Sequence, residues 1–352
     1  MLFVTGFPGF LGTRLVQTLT QADTSLDVHL LIQPKFADQA QDTIDALGIA
    51  ARATLHEGDI TKPDLGLGTA YDTVAKQITR AVHFAAVYDL TIPRDVGWRV
   101  NVTGTKHVLD LMEAAPNLKT FGYVSTAYVS GTRDGRIYET DLVHNAGFKN
   151  FYEETKYHAE VLVQERQDRI PTMIFRPGIV VGDSQTGATD KFDGPYYILR
   201  ALQRLPRYTL MARVGTGAHP VHLTPVDYVI DTMAHLMQSP QYNDTVFHLT
   251  DPDPLSTQQI MDLFVEHLGM HVAYVPVPSR LARRVAGSDA GRYLGIAPQL
   301  IDYFDHDVHY DTTNTEAALE GTGIHCPPLS SYVDRLTAYM KQATKARSEA
   351  MY

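Results

Sequence analysis

Three groups of residues in this chain have types and spacings that could do chemistry together. "TGFPGFLG" places Gly6, Gly9 and Gly12 three apart behind a short apolar run. "FYEETK" places Tyr152 and Lys156 four apart, one helical turn on the same face. "YVSTAYVSG" offers the hydroxyls of Ser125 and Thr126 ahead of that pair. A glycine-rich strand-to-helix turn lets backbone approach a pyrophosphate. The helix N-terminus then presents free N–H groups and a positive dipole end to it. A phenol has a pKa near 10 and handles protons poorly at neutral pH. A lysine one turn away favours phenolate and moves the group toward the range where general acid–base catalysis works. With 19 tyrosines present, such a pair arises easily by chance, so its position in the fold carries the weight.

The elements that must hold these groups follow from the apolar runs. "LFVT" (2–5), "VHLLI" (28–32), "ATLHEGD" (53–59), "AVHFAA" (81–86), "FGYVST" (121–126) and "TMIFRP" (172–177) read as strands. Helical stretches fall near 9–22, 95–115 and 151–167. Strand and helix in alternation predict an α/β fold, a Rossmann-type doubly wound parallel sheet. The glycine turn then joins the first strand to the first helix, and Tyr152 opens the helix after the fifth. After residue 185 the rhythm changes. The expected division is a dinucleotide-binding domain over 1–185, with 220–250 returning to it. A smaller substrate-binding part covers 186–219 and 251–340, and 341–352 is a flexible tail. "TVFHLT" (245–250) is a late strand, and "PLSTQQIMDLFVEHLG" a helix capped by Ser256 or Thr257 and ended by Gly269.

Bulk properties narrow the function. The chain has 352 residues and a net charge of −10, which disfavours nucleic acid and anionic membranes as partners. The single cysteine, Cys326, excludes an internal disulfide framework and points to a reducing compartment. No apolar run approaches a transmembrane length, and a strand beginning at Leu2 leaves no room for a signal peptide, so a cytoplasmic location is expected. The pairs His219/His222 and His306/His309 lack a third ligand at an obvious spacing. They read as structural, and no metal is expected.

The glycines are spaced Gly-x-x-Gly-x-x-Gly, not the Gly-x-Gly-x-x-Gly of most dehydrogenases. With the Tyr152–Lys156 pair, this resembles the extended short-chain dehydrogenase/reductase superfamily. "TGFPGFLG", "GDITKPDLGL", "YVSTAYVSG" and "FRPGIVVGDS" resemble its fatty acyl-CoA and carrier-thioester reductase branch. The resemblance implies that Tyr152 exchanges a proton with the substrate oxygen. Lys156 also holds the nicotinamide ribose, and Thr126 hydrogen-bonds the substrate carbonyl. Thr126 is preferred to Ser125 because it lies five residues before Gly131, and both stay open. The implied cofactor site takes Phe7, Phe10 and Leu11 from the turn, Asp59 and Ile60 beside the adenine, Ala85 and Ala86, Asn101, and Pro177 with Gly178 beside the nicotinamide. Where an NAD-specific fold usually carries a carboxylate, this chain has Gln33 and then Lys35, which favours NADP(H) and leaves NAD(H) open. Phe192 and Tyr196, followed by Tyr197 and Ile198, suggest an apolar substrate pocket together with Tyr88 and Phe148.

The reading is an NAD(P)H-dependent oxidoreductase that reduces an apolar small-molecule carbonyl: an acyl thioester, aldehyde or bulky ketone. A homodimer is compatible with it. The rival reading is an NAD-dependent sugar-nucleotide epimerase or dehydratase, for which Arg200, Arg204, Arg207 and Arg213 could bind a diphosphate. A non-catalytic dinucleotide sensor ranks below both, because such proteins typically lose the Tyr–Lys pair.

Overall fold

The computed structural model describes residues 1–288 and 298–349. Thirteen strands follow in chain order: β1 (Leu2–Thr5), β2 (Val28–Ile32), β3 (Ala53–Glu57), β4 (Arg80–His83), β5 (Thr120–Val124), β6 (Gly135–Ile137), β7 (Thr172–Pro177), β8 (Ile179–Val181), β9 (Tyr208–Val214), β10 (Leu223–Pro225), β11 (Val246–Leu249), β12 (His271–Val277) and β13 (Val308–Tyr310). Seven of them form one sheet in the order β11-β7-β5-β4-β1-β2-β3. Every pairing in it is parallel. β1, β5 and β7 are buried along their whole length, as continuous apolar strands covered on both faces must be.

Helix Phe10–Ala22 lays Leu15, Val16 and Leu19 on one face of the sheet, beside Val226, Val229 and Met233 of helix Val226–Leu236. Helices Gly104–Glu113 and Phe151–Gln164 cover the other face with Val108, Leu109, Met112, Ala159 and Val163. The expected helix near 95–115 is interrupted by a π-helical stretch, Trp98–Thr103. A third core gathers residues between Val181 and Met340, among them Tyr196, Leu199, Ile260, Phe264 and Tyr332.

β1 lies between β2 and β4, so the chain leaves it on one side and returns on the other. The crevice at the carboxyl ends of β1 and β4 is where open α/β sheets bind ligands. The late strand is β11, paired to β7, so residues after 185 do complete the sheet. Helix Thr257–His267 carries the expected cap, a reciprocal pair between Ser256 and Gln259.

Three small sheets lie outside the main one. β8 pairs with β10, and β9 with β12 in a parallel ribbon that leaves Tyr208 and Leu210 exposed. β13 pairs with β6, 180 residues of chain apart where Ser130 and Tyr310 share a hydrogen bond of 2.9 Å. Glu139 reinforces that closure by accepting from the N–H groups of Asn314 and Thr315. Helix Val333–Glu349 runs on through residues 341–349 of the expected tail. Residues 350–352 lie outside the described residues.

Candidate active site

A cavity of about 620 Å³ opens at the switch point. Its floor is the glycine turn. Gly6 adopts φ +88°, a conformation that side chains rarely take, and a Cβ there would stand 2.7 Å from Phe84 Cβ. Cβ atoms on Gly9 or Gly12 would each stand 2.7 Å from the Gly6 carbonyl. The glycines are therefore required for the turn itself. Gly9 caps helix Phe10–Ala22 with no side-chain bond, and Phe10, Leu11 and Gly12 of its first turn line the cavity. These uncapped N–H groups and the dipole end beside them fit a pyrophosphate. Ala85 and Ala86, at the end of β4, form the facing wall.

Helix Phe151–Gln164 brings Tyr152 and Lys156 to the same cavity. Asn150 starts it, accepting from the Glu153 N–H at 3.0 Å, and its amide also donates to the Tyr303 hydroxyl at 2.8 Å. Thr126 follows β5 and also lines the cavity. Its Oγ1 makes only long contacts, 3.3 Å from Tyr128 N and 3.4 Å from Pro177 O. Ser125 is committed elsewhere: its hydroxyl donates to Glu160 Oε2 at 2.5 Å. The sequence prefers Thr126 and leaves both open, and the two differ in how far their hydroxyls are already engaged.

The Tyr–Lys pair differs from the simple Coulomb picture. Among the described residues Tyr152 and Lys156 share no hydrogen bond. Lys156 Nζ instead donates to the Tyr123 hydroxyl at 3.0 Å and to the Val124 carbonyl at 2.7 Å. Burial pushes the Lys156 amine down to about 7, against a smaller upward pull from Glu160. Burial, then Glu153, holds the Tyr152 phenol above its ordinary value. Tyr152 is thus kept protonated and is not pre-ionised by its neighbour. The edge of its ring meets Tyr88, with centroids 5.1 Å apart, and Lys191 Nζ lies 5.3 Å from the Tyr88 centroid.

Behind the site lies a buried charge pair. Arg176 of β7 is fully buried and contacts Glu160 at 2.6 Å. It also donates to the Glu139 carbonyl and meets His248 Nε2 at 3.1 Å.

Sixteen of the residues singled out for the reductase site line the cavity: Gly6, Gly9, Phe10, Leu11, Gly12, Ala85, Ala86, Tyr88, Ser125, Thr126, Tyr152, Lys156, Pro177, Gly178, Tyr197 and Ile198. Nine do not. Phe7 is a core residue packed on the sheet face below the turn. Gln33 and Asp59 stand at the ends of β2 and β3, bonded to each other at 3.2 Å, so a carboxylate does stand near Gln33 after all. Lys35 is exposed and lies over the Phe36 ring. Ile60 is buried against Gly104. Asn101 sits behind the wall, because the π-helical stretch turns its side chain onto the backbone of Val87 and onto Thr155. Phe148 packs on Tyr157 and His144. Phe192 packs on Tyr196 and Tyr339, and the Tyr196 hydroxyl accepts from the Gly182 N–H. These three aromatics are core, not pocket.

The end of the cavity away from the glycine turn is lined instead by Leu90, Thr91, Tyr197, Ile198, Val221, Leu223, Ile260, Tyr303 and Phe304. Tyr197 and Ile198 were flagged by the aromatic run, whereas Tyr303 and Phe304 lie far along the chain and carry no local signal. No arginine lines the cavity among the described residues. His222 and His306 bond backbone carbonyls, and no group of three potential metal ligands occurs among the described residues. No described helix is long and apolar enough to cross a membrane.

Known proteins resemble this arrangement. The sequence profile of a family described as male sterility protein matches residues 4–233. The chain is 26% identical to a linear gramicidin synthase of Brevibacillus parabrevis over 94% of its own length, and spans 7% of that protein. It is 25% identical to the fatty acyl-CoA reductase wat of Drosophila melanogaster, over 66% of this chain and 53% of that one. Against the L-2-aminoadipate reductase large subunit of Penicillium chrysogenum it is 27% identical, covering 81% and 22% respectively. The crystal structure of the terminal R domain from the myxalamid PKS-NRPS pathway matches with a TM-score of 0.82 at 25% identity, over 96% of this chain and 89% of that one. UDP-glucuronic acid 4-epimerase from Bacillus cereus, in complex with NAD, matches with a TM-score of 0.69 at 19% identity over 98% and 97%, a likeness of fold alone.

Proposed function

Because the chain belongs to the male sterility protein family, within the extended short-chain dehydrogenase/reductase fold, we propose that it is an NAD(P)H-dependent reductase of an apolar carbonyl substrate, with an acyl thioester the preferred class. The observation that carries the reading is one cavity in which the uncapped glycine turn, Thr126, Tyr152, Lys156 and an apolar end meet. The three curated relatives named above are a gramicidin synthase, a fatty acyl-CoA reductase and an aminoadipate reductase, of which this chain spans 7%, 53% and 22%.

In this reading, Phe10, Leu11 and Gly12 hold the pyrophosphate of the dinucleotide through backbone N–H groups. Ala85 and Ala86 flank it, and Pro177 and Gly178 shape the far end. Once bound, the reduced dinucleotide supplies the hydride. Thr126 donates a hydrogen bond to the substrate oxygen, for which its long contacts leave it available. Tyr152, held protonated by burial, gives its proton to that oxygen as charge develops there. Lys156 orients the nicotinamide ribose and supplies positive charge beside the phenol. The apolar end excludes water and seats the acyl chain or ring.

A preference for NADPH over NADH rests on Gln33 and Lys35, and Asp59, bonded to Gln33, opposes it. Titration of both nucleotides by their fluorescence measures the balance, and tighter NADH binding would overturn the preference. The activity is tested by NADPH oxidation with long-chain acyl-CoA, aldehydes, bulky ketones and sugar nucleotides side by side. Turnover of a thioester or other carbonyl is the expected result. Turnover of a sugar nucleotide alone would replace the reading with the epimerase one.

A further inference from the structure

The proposed chemistry uses Lys156 and does not explain where its amine is anchored. Lys156 is 4% exposed. Two of its N–H directions are taken by the Tyr123 hydroxyl and the Val124 carbonyl. Tyr123 is fully buried in β5, which otherwise reads apolar there. A phenol at such a site needs a reason, since burying a hydroxyl is costly unless it is bonded at both ends.

The hydrogen bonds beyond it can be assigned directions. Thr105 Oγ1 donates to the Asn101 carbonyl at 2.6 Å. Its proton being spent, that oxygen accepts from His83 Nε2 at 3.0 Å, and the Tyr123 hydroxyl lies beside it. His83 therefore carries its proton on Nε2, and its bare Nδ1 accepts from the Thr5 hydroxyl at 2.6 Å. Burial, with Lys156 adding to it, pushes His83 down to about 3, so it stays neutral as this pattern requires. Thr5 Oγ1 in turn accepts from the Ala85 N–H at 3.3 Å. Thr5 immediately precedes Gly6, and Ala85 forms the facing wall. From Thr105 through His83 to Thr5, each proton is assigned.

We propose that Tyr123, backed by Thr105, His83 and Thr5, is the positioning residue of Lys156 and ties the catalytic amine to the two backbone segments that frame the dinucleotide. The proposal rests on the reductase reading for its consequence in turnover and on geometry alone for the anchoring. Tyr123 accepts from Lys156, so it stabilises the charged amine while fixing its direction. The third N–H of Lys156 is left for the cavity. The groups facing Lys156 are Tyr152 and Glu160 on its own helix, Tyr123 on β5 and His83 on β4, with Arg176 of β7 pairing Glu160.

The test follows the amine itself. Protein labelled with ¹⁵N at the lysine side chains is titrated by NMR, and Lys156 is assigned by the signal lost in Lys156→Met. Tyr123→Phe keeps the ring and removes the acceptor, so the Lys156 midpoint should fall by about one pH unit. Thr105→Val removes the second link and should move it the same way by less. It also covers the case in which Tyr123→Phe fails to fold. In turnover, kcat in Tyr123→Phe should fall about tenfold, and the alkaline limb of its pH profile should move down with the amine. KM for the carbonyl substrate should change less than twofold. Identical Lys156 midpoints in wild type and both variants would overturn the positioning role. Absence of NADPH oxidation by the wild type with every carbonyl would overturn the reductase reading instead, and the titration still decides the anchoring.

Discussion

Replacing Lys156 by methionine should make the protein more stable and inactive in one step. The buried amine has its pKa pushed from 10.5 to about 7. At roughly 1.4 kcal/mol per unit, holding the proton inside the fold costs at most about 5 kcal/mol relative to the unfolded chain. Methionine removes that cost and packs with similar volume. It also leaves the Tyr123 hydroxyl and the Val124 carbonyl without their donor, which returns about 1–3 kcal/mol. The net gain expected at pH 6 is at most about 2–4 kcal/mol. Below pH 7 both states of the wild type hold the proton, and the full penalty stands. Between pH 7 and 10.5 the unfolded chain binds the proton better. Wild-type stability therefore rises by roughly 1.4 kcal/mol per pH unit, and the advantage of the variant shrinks. Above pH 10.5 the penalty is gone and the variant should be the less stable of the two. The assay is urea unfolding of both proteins by circular dichroism at pH 6, 7, 8 and 9. A stability difference that stays constant across that range would refute the reasoning, whatever its size.

Three further outcomes follow from the site. Tyr152→Phe should slow NADPH oxidation at least about 100-fold while leaving nucleotide affinity within twofold, and undiminished turnover would remove Tyr152 as the proton donor. Gly9→Ala puts a Cβ 2.7 Å from the Gly6 carbonyl and should weaken NADPH binding by about tenfold or more in a fluorescence titration. Unchanged affinity would place the pyrophosphate elsewhere. Arg176→Leu leaves Glu160 charged and unpaired in the interior, at a cost of about 3–5 kcal/mol in thermal or urea unfolding. Adding Glu160→Leu should recover most of that loss, and a double variant no better than the single one would contradict the pairing argument.

The sheet was legible because its strands are buried on both faces, and burial writes itself as unbroken apolar runs such as "TMIFRP". The glycine turn was legible because no side chain fits at Gly6, Gly9 or Gly12. The far end of the cavity was not. Phe192, Tyr196 and Phe148 are as aromatic as Tyr88, but which face of a segment meets a cavity is decided by what packs behind it. For Tyr196 that neighbour is the Gly182 backbone. Asn101 bonds Val87 and Thr155 from within a π-helical stretch, and nothing in "NVTGT" announces that change of pitch. Tyr123 did leave a trace, a lone hydroxyl in "FGYV". That trace gains meaning only once β4 and helix Gly104–Glu113 bring His83 and Thr105 beside it.

The parallel pairing of β13 with β6 sets a timetable for the site. Ser130 and Tyr310 are joined across 180 residues of chain, and Tyr303 and Phe304, which wall the cavity, come just before Tyr310. A ribosome adding about 5–20 residues per second makes those 180 residues in roughly 10–40 s. For that interval the nascent chain holds β6, Tyr152 and Lys156 without their outer wall. Tyr152 and Lys156 are made early and enclosed late.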